Sequence, residues 1–204
     1  ETIDLGGNIK FADDGPLVDV TKGTEAGVVL TTQDAETDGD PTNEDTAVST
    51  ANFNSVFAIG SSAYGADGAG TAPSLSYQLG LAVAEGSGSG LYSHGAEINL
   101  YIDGNTVTGS TAGTEGAVDS GNTIFTIAVA GSTGVVTLTQ YQQLDHGTPE
   151  TAPAYDDDIR SLADNLVTLT ASATITDYDG DSATDSETID LGGNIKFADD
   201  GPLV

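Results

Sequence analysis

The chain lacks cysteine, methionine and tryptophan, and it has only four lysine and arginine residues together. The absence of cysteine excludes disulfides, thiol chemistry and zinc–thiolate sites. The shortage of basic residues argues against nucleic acids and anionic membrane surfaces as partners, because nothing in the chain neutralises their phosphates. No run reaches the ~18 apolar residues that a membrane span requires, so we also expect no membrane insertion.

Acidic residues are in large excess, and 32 aspartates and glutamates give the chain a formal net charge of −28. Such a charge destabilises a compact state through self-repulsion unless cations bind. Calcium (Ca²⁺) is the leading candidate cofactor, because this hard cation takes about six to eight oxygen ligands. So acidic a composition can also indicate disorder. Hydrophobic residues make up 37% of the chain, however, and they alternate with polar residues in runs. This pattern favours a folded protein when ions are bound.

An 18-residue segment, ETIDLGGNIKFADDGPLV, occurs at residues 1–18 and again without change at residues 187–204. Perfect identity at a fixed offset indicates tandem copying, so the sequence predicts one unit of a repeat array. We expect residues 1–12 to hold the terminal strand of a preceding repeat plus a junction, 13–198 to form one repeat, and 199–204 to start the next junction. The strand at Glu1–Phe11, whose own domain is missing, is predicted to be extended.

Between the two copies the sequence is typical of β structure. Runs rich in β-branched and aromatic residues predict seven strands, at Asn52–Ile59, Ser74–Val83, Glu97–Ile102, Asn122–Val129, Val135–Tyr141, Leu166–Thr176 and Ser186–Phe197. Turn sequences at residues 103–105 and 131–134 predict hairpins. Only Asp156–Asp164 has a helical period, which predicts one helical turn. The pattern predicts an all-β fold, an antiparallel immunoglobulin-like β-sandwich with long loops.

The strongest local motif is Asp177-Tyr178-Asp179-Gly180-Asp181, followed by Asp185, between two predicted strands. Alternate aspartates place carboxylates on one side of a turn and glycine allows a tight backbone, which favours a calcium loop. The motif is not an EF-hand, because Ser182 and Thr188 stand where that loop requires glycine and glutamate. The alternative is a solvated turn.

The second motif is Phe-Ala-Asp-Asp-Gly-Pro, which supplies Asp13 and Asp14 at its first copy and Asp199 and Asp200 at its second. It follows a predicted strand, and proline stiffens it, so it is predicted to be a domain junction with calcium ligands. The last strand leaves the Asp177–Asp181 turn and ends at the second junction. We therefore expect Asp13 and Asp14 to lie beside that turn, with Asp199 and Asp200 at the other end of the domain.

Catalytic motifs are not evident. The two histidines, His94 and His146, have no partner in a recognisable nucleophile or metalloprotease pattern, and Asp145 and His146 would point to opposite faces of a strand. Paired carboxylates can hydrolyse glycosides, but with 32 acidic residues any two can lie close together by chance. We therefore expect no enzymatic activity. The polar segments Gln33–Asp45, Ser61–Thr71 and Ser110–Gly121 are predicted loops that could carry ligand contacts.

Several phrases resemble the tandem repeats of type I-secreted RTX adhesins. They are LTQYQQLDHGTPETA at 138–152, LVTLTASATITDYDGDSATDSETIDLGGNIKFADDGP at 166–202, YGADGAGTAPSLSYQLGL at 64–81 and LYIDGNTVTGSTA at 100–112. The resemblance implies immunoglobulin-like or cadherin-like extender domains, with calcium at their junctions, on the surface of a Gram-negative bacterium. The nonapeptide GGxGxDxUx of calcium β-rolls is absent, which places the chain in the extender region.

These inferences converge on one function. The sequence predicts a structural extender module of a giant bacterial adhesin, extracellular at the cell surface, rigidified by calcium and contacting neighbouring repeats of the same chain. It would project a ligand-binding region from the cell for adhesion or biofilm formation. The alternative is an adhesin module that itself binds a glycan or protein ligand through its long loops.

Overall fold

The computed structural model describes residues 2–3, 6–7, 9–10, 12–37, 46–146 and 158–199. Strands dominate these ranges, and the prediction of an all-β fold is confirmed. The strands are β1 (Leu17–Lys22), β2 (Leu30–Gln33), β3 (Ala47–Asn52), β4 (Phe57–Ala63), β5 (Ala69–Thr71), β6 (Leu75–Leu81), β7 (Ser87–Ser93), β8 (Ala96–Asp103), β9 (Thr106–Ser110), β10 (Thr123–Val129), β11 (Val135–Gln140), β12 (Ile159–Ser161), β13 (Val167–Asp177), β14 (Ser182–Asp190) and β15 (Ile195–Ala198). Short 3-10 turns lie at Asp34–Glu36, Phe53–Val56 and Glu115–Ala117. Within the described ranges no helix is long and apolar enough to cross a membrane.

The strands form an antiparallel β-sandwich. One layer is a six-stranded sheet in the order β3-β11-β10-β9-β8-β7. The other is built around β13, which pairs with β14 on one side and with β6 and β5 on the other. A small sheet, β12-β15-β2, contains a parallel pair between β15 and β2, and β1 pairs with β4. Alternation along each strand sends every second side chain into the space between the layers.

A single large core fills that space, with side chains from both layers. The Phe125 ring of β10 lies 5.0 Å from the Phe197 ring of β15, centroid to centroid, and both residues are fully buried. Gly109 on the neighbouring β9 makes room for Phe125, because a Cβ there would clash with the aromatic ring. The second copy of the repeated segment therefore contributes directly to the core.

A smaller core lies towards the turn that joins β13 to β14. Val18 and Val20 of β1 pack there against Ala173 and Ile175 of β13. This small core fixes the start of the unit, just after the first junction motif, beside the end of the longest strand. The two predicted calcium motifs are thereby brought to the same region.

Two predicted strands are each divided in the structure. The run Asn52–Ile59 turns through a 3-10 segment, where the Asn52 side chain accepts a hydrogen bond from the Asn54 N–H at 2.9 Å, and then continues as β4 in a different sheet. The run Ser186–Phe197 is interrupted after Asp190 by a turn in which Gly193 has φ of 71°. Glycine adopts that conformation without the steric cost that a side chain would add.

The prediction of a helical turn at Asp156–Asp164 is wrong for the part of it that the structure describes. Ile159–Ser161 is strand β12 and pairs with β15 in antiparallel register, Ile159 opposite Ala198. Backbone pairing to an edge of the small sheet outweighs the weak helical period. Before the first junction, the described residues of 1–12 include no strand, and Ile3 and Ile9 are exposed.

Candidate cation sites

Six aspartates converge where the first junction meets the β13–β14 turn, and we call them the tip cluster. Their carboxylate oxygens form three overlapping groups, within each of which the oxygens lie within 4.8 Å of one another. The groups are Asp13 with Asp179 and Asp181, Asp13 with Asp14 and Asp67, and Asp67 with Asp177 and Asp179. The first junction therefore lies beside the β13–β14 turn, as predicted.

Asp177 is the buried member of the tip cluster. Every second residue of β13 from Val167 to Ile175 faces inward, and Asp177 takes the next inward position, so it is only 2% exposed. Its Oδ1 accepts hydrogen bonds from the N–H groups of Gly180 at 3.1 Å and Asp181 at 2.8 Å. Its Oδ2 is buried and has no hydrogen-bond partner. A buried carboxylate oxygen without a partner is costly, and a bound cation would compensate for it.

The segment from Tyr64 to Gly68 completes the cluster from a third direction. The Ala66 N–H donates to the Asp14 carboxylate at 2.9 Å, and the Tyr178 N–H donates to the Gly68 carbonyl at 3.1 Å. Gly70 in β5 lies so close to the Asp177 carbonyl that any side chain there would clash. These contacts carry Asp67 to the same place as the junction and the turn.

The aspartates of the tip cluster repel one another. The pKa of Asp179 is raised, first through its contact with the Asp177 carboxyl and then through partial desolvation. The pKa of Asp181 is raised mainly by Asp13, and that of Asp67 by desolvation followed by Asp13. The raised pKa values reflect neighbouring negative charges, and a divalent cation would offset those charges.

The tip cluster offers the ligands that calcium prefers. Six carboxylates from three segments supply enough oxygens for a coordination number of about six to eight. Asp177 and Asp14 are oriented by backbone N–H groups, and every member except Asp177 is exposed, which suits the flexible geometry of calcium. Binding of calcium by Asp13, Asp14, Asp177, Asp179 and Asp181 stays a prediction.

The remaining predicted ligands lie elsewhere. Asp185, on β14, belongs to none of these groups, and its carboxylate accepts a hydrogen bond from the Val20 N–H at 2.7 Å, where β1 has a bulge. This hydrogen bond joins β14 to β1. Asp199 belongs to a second group, described next, and Asp200 lies outside the described residues.

A second cluster consists of Asp34, His146 and Asp199, and we call it the buried cluster. One ligand atom from each residue lies within 4.8 Å of the other two, and His146 Nε2 lies 3.5 Å from Asp34 Oδ2. The side chains of His146 and Asp34 are only 4% and 3% exposed. Asp199 follows β15 directly, and its N–H donates to the carbonyl of Asp158 at 3.1 Å.

Strand periodicity also explains the buried cluster. Leu30 and Thr32 face inward from β2, and Asp34 takes the next inward position. After β11 the same alternation continues through Gln142 and Leu144 to His146, and the intervening Asp145 is exposed. His146 and Asp145 therefore point to opposite sides, as predicted.

The Asp34 carboxylate is held in place by its neighbours. Its Oδ1 accepts a hydrogen bond from the Gln140 side-chain amide, and its Oδ2 accepts one from the Leu144 N–H at 3.2 Å. Both ring nitrogens of His146 are buried without a hydrogen-bond partner. Burial lowers the pKa of His146, but the carboxylates of Asp34, Asp199 and Asp158 raise it by more, so the net direction is upward.

The two clusters are separate. Asp177 and Val167 lie at opposite ends of β13, about 33 Å apart at ~3.3 Å per residue. Leu191 hydrogen-bonds to Val167, and Asn194 hydrogen-bonds to Leu191. Asp199, five residues beyond Asn194, can reach at most about 18 Å from it. The two clusters share no residue, and none of the carboxylate and imidazole groups among the described residues joins a residue of one cluster to a residue of the other.

Three cluster members were not among the predicted ligands: Asp67, Asp34 and His146. Asp67 and Asp34 lie in segments predicted only as polar loops, Ser61–Thr71 and Gln33–Asp45. The inward alternation of β2 and β11, extended beyond the strand ends, is the signal that marks Asp34 and His146. Asp67 has no comparable sequence signal, because its position depends on the contacts of its loop.

A family model described as a domain of unknown function, DUF5801, matches residues 18–192. Comparison with curated proteins and with solved structures gave no match. The matched range includes Asp34, Asp67, His146 and the whole β13–β14 turn. It stops short of both copies of the junction motif.

Proposed function

The chain belongs to the DUF5801 family, and we propose that it is a structural extender unit of a bacterial surface adhesin, rigidified by calcium bound at the tip cluster. The location, on the outside of the cell after type I secretion, rests on the resemblance of its repeats to those of RTX adhesins. The alternative of glycan or protein binding through the long loops stays a prediction.

The observation that carries the proposal is the position of the repeated junction aspartate. Asp13 and Asp199 are equivalent residues of the identical segments. The first copy lies in the tip cluster, and the second lies in the buried cluster. The same short segment therefore contacts the folded unit both at the point where the chain enters the unit and at the point where the chain leaves it. This is the arrangement expected of a linker that would join consecutive units in a fixed orientation.

Repulsion between carboxylates would make the stability of the unit depend on calcium. Without calcium, the carboxylates of the tip cluster repel one another and leave Asp177 Oδ2 unpaired. Outside the cell, calcium at about 10⁻⁴–10⁻³ M is sufficient to occupy sites of modest affinity. Ion binding then adds to the free energy of unfolding. The ion would tie Asp13 of the junction to Asp67 of the loop and Asp177 of the turn, and so stiffen the array.

The length of β13 sets a scale for the reach of such an array. Its 11 residues, at ~3.3 Å each, span about 36 Å. Each added unit would extend the adhesin by at least about that distance if the strands run along the array. Stiff junctions convert this length into projection away from the cell surface.

Thermal unfolding with calcium and with a chelator tests the proposal. Calcium at 100 times its dissociation constant stabilises a protein by about 2.7 kcal/mol, and we expect a rise of the midpoint to match. Asp177→Asn should abolish most of the rise, because it removes a charge at the buried position while an amide oxygen still accepts the two backbone hydrogen bonds.

Asp103→Asn is the matched control, since it removes one exposed aspartate from the end of β8, outside both clusters. This variant should keep the full response to calcium. Equal midpoints with and without calcium for the unmodified chain would refute the proposal, as would equal losses in the two variants.

A further inference from the structure

We propose that Asp34, His146 and Asp199 form a second divalent-cation site, of the class that takes zinc, independent of calcium at the tip cluster. The site would hold the chain in place where it leaves β15. Its ligands are one imidazole nitrogen and two carboxylates, with a position left for water.

The donor set separates this site from the tip cluster. Calcium is bound by oxygen ligands, whereas an imidazole nitrogen suits zinc, copper and nickel. Open zinc sites have three protein ligands plus a water molecule, and both histidine nitrogen and carboxylate oxygen serve as zinc ligands. The tip cluster contains only carboxylates, so the two sites are expected to select different ions.

The geometry requires little rearrangement. Tetrahedral zinc with ligands at about 2.0–2.1 Å places those ligands about 3.4 Å apart. His146 Nε2 and Asp34 Oδ2 are already 3.5 Å apart, and the Asp199 carboxylate lies within 4.8 Å of both residues. A small movement of Asp199, which follows the last residue of β15, would complete the site.

The surroundings of the site have the features of a prepared metal centre. Asp34 is oriented by the Gln140 amide and by the Leu144 N–H, the kind of outer contacts that fix a carboxylate ligand. His146 is buried, and neither of its nitrogens has a hydrogen-bond partner. Two buried ring nitrogens without partners cost free energy. Coordination by Nε2 would satisfy one nitrogen.

The competing explanation is a metal-free ion pair, in which a protonated His146 contacts Asp34 and Asp199. That arrangement also brings the three side chains together, but it predicts no effect of zinc. The two explanations differ in one measurable property: whether a histidine ring nitrogen binds an added metal ion.

Nuclear magnetic resonance of the ¹⁵N-labelled imidazoles tests the site on the full 204-residue chain. Zinc ions are titrated in the presence of saturating calcium, which occupies the tip cluster and competes at exposed carboxylates. The chain has two histidines, so His94→Asn identifies the His146 signals. We expect one zinc ion to bind per chain and to shift the ring-nitrogen signals of His146.

Isothermal titration with paired variants completes the test. His146→Asn should weaken zinc binding by more than the ~10–100-fold that loss of an outer contact costs. His94→Asn should bind zinc like the unmodified chain, because His94 is exposed and asparagine tolerates its φ of 50°. Unshifted His146 signals, or zinc binding that is the same in the two variants, would overturn the proposal. Since the first readout uses the unmodified chain, a misfolded His146→Asn variant cannot obscure the result.

Discussion

The tip cluster and the buried cluster are built around similarly placed aspartates, but the groups that surround those aspartates differ. Each includes an aspartate that continues the inward alternation of a strand, Asp177 after Ile175 and Asp34 after Thr32. Around Asp34 the protein supplies hydrogen-bond donors and an imidazole. Around Asp177 it supplies backbone donors for one oxygen and further carboxylates for the other. The protein itself therefore fixes both oxygens of the Asp34 carboxylate, whereas it leaves Asp177 Oδ2 without a hydrogen-bond partner.

The largest effect is expected from removing the centre of the buried cluster. Asp34→Ala leaves the Gln140 amide and the Leu144 N–H without their acceptor in a buried site, and it removes the carboxylate beside His146. The free energy of unfolding should fall by about 3–5 kcal/mol. Urea unfolding should show the same loss with calcium and with a chelator. A loss that appears only in calcium would erase the distinction between the two clusters.

Removing one exposed ligand of the tip cluster should have a smaller effect that depends on calcium. Asp67 belongs to two of the three carboxylate groups, so Asp67→Asn should lower calcium affinity about tenfold. In a chelator the same variant should unfold at a slightly higher temperature, because one repulsive charge is gone. Calorimetric titration with calcium and thermal unfolding check the two halves of this prediction. Unchanged affinity would remove Asp67 from the site.

Acidification should stabilise the calcium-free protein through the tip cluster. The pKa values of Asp67, Asp179 and Asp181 are raised above the ordinary 3.8 in the folded state, so the folded protein binds more protons than the unfolded chain. Their contribution to stability is therefore lost as pH rises through the raised values.

A triple variant isolates this effect. With all three residues changed to asparagine, the calcium-free protein should be more stable than the unmodified chain at pH 7. The difference should shrink as pH falls towards 3.8, the ordinary pKa of these groups. Thermal midpoints in a chelator across that range provide the measurement, and a gap that does not change with pH would contradict it.

The smallest effect is expected at Asp185. Its carboxylate accepts the Val20 N–H and lies outside the tip cluster. Asp185→Asn keeps an acceptor oxygen, so stability should change by no more than about 1 kcal/mol and calcium affinity should not change. Calorimetric titration would show a clear loss of affinity if Asp185 were a ligand after all.

Features that depend on neighbouring residues could be predicted from the sequence, whereas features that depend on tertiary contacts could not. Alternation identified β13 and the turn at Asp177–Asp181, because both are set by neighbouring residues. The break in Ser186–Phe197 was missed because the apolar pattern resumes after Gly193 and hides a turn between two sheets. Asp67 was missed as a ligand because only tertiary contacts of its loop carry it to the turn.

His146 was not predicted as a cluster member for a similar reason. Its inward position follows from the alternation that begins in β11, which the sequence displays. Its partner Asp34 is more than a hundred residues away in the chain, and their meeting depends on how β2 and β11 pack together. A single sequence gives no signal for such a pair.

The central claim is that calcium binds at the tip cluster, and a crystal structure of the calcium-loaded chain tests it most directly. Anomalous scattering from calcium locates the ion without ambiguity. We predict an ion about 2.3–2.6 Å from Asp177 Oδ2, with further ligands from Asp13, Asp67, Asp179 or Asp181. A calcium-loaded crystal in which Asp177 Oδ2 has no ion beside it would contradict the account.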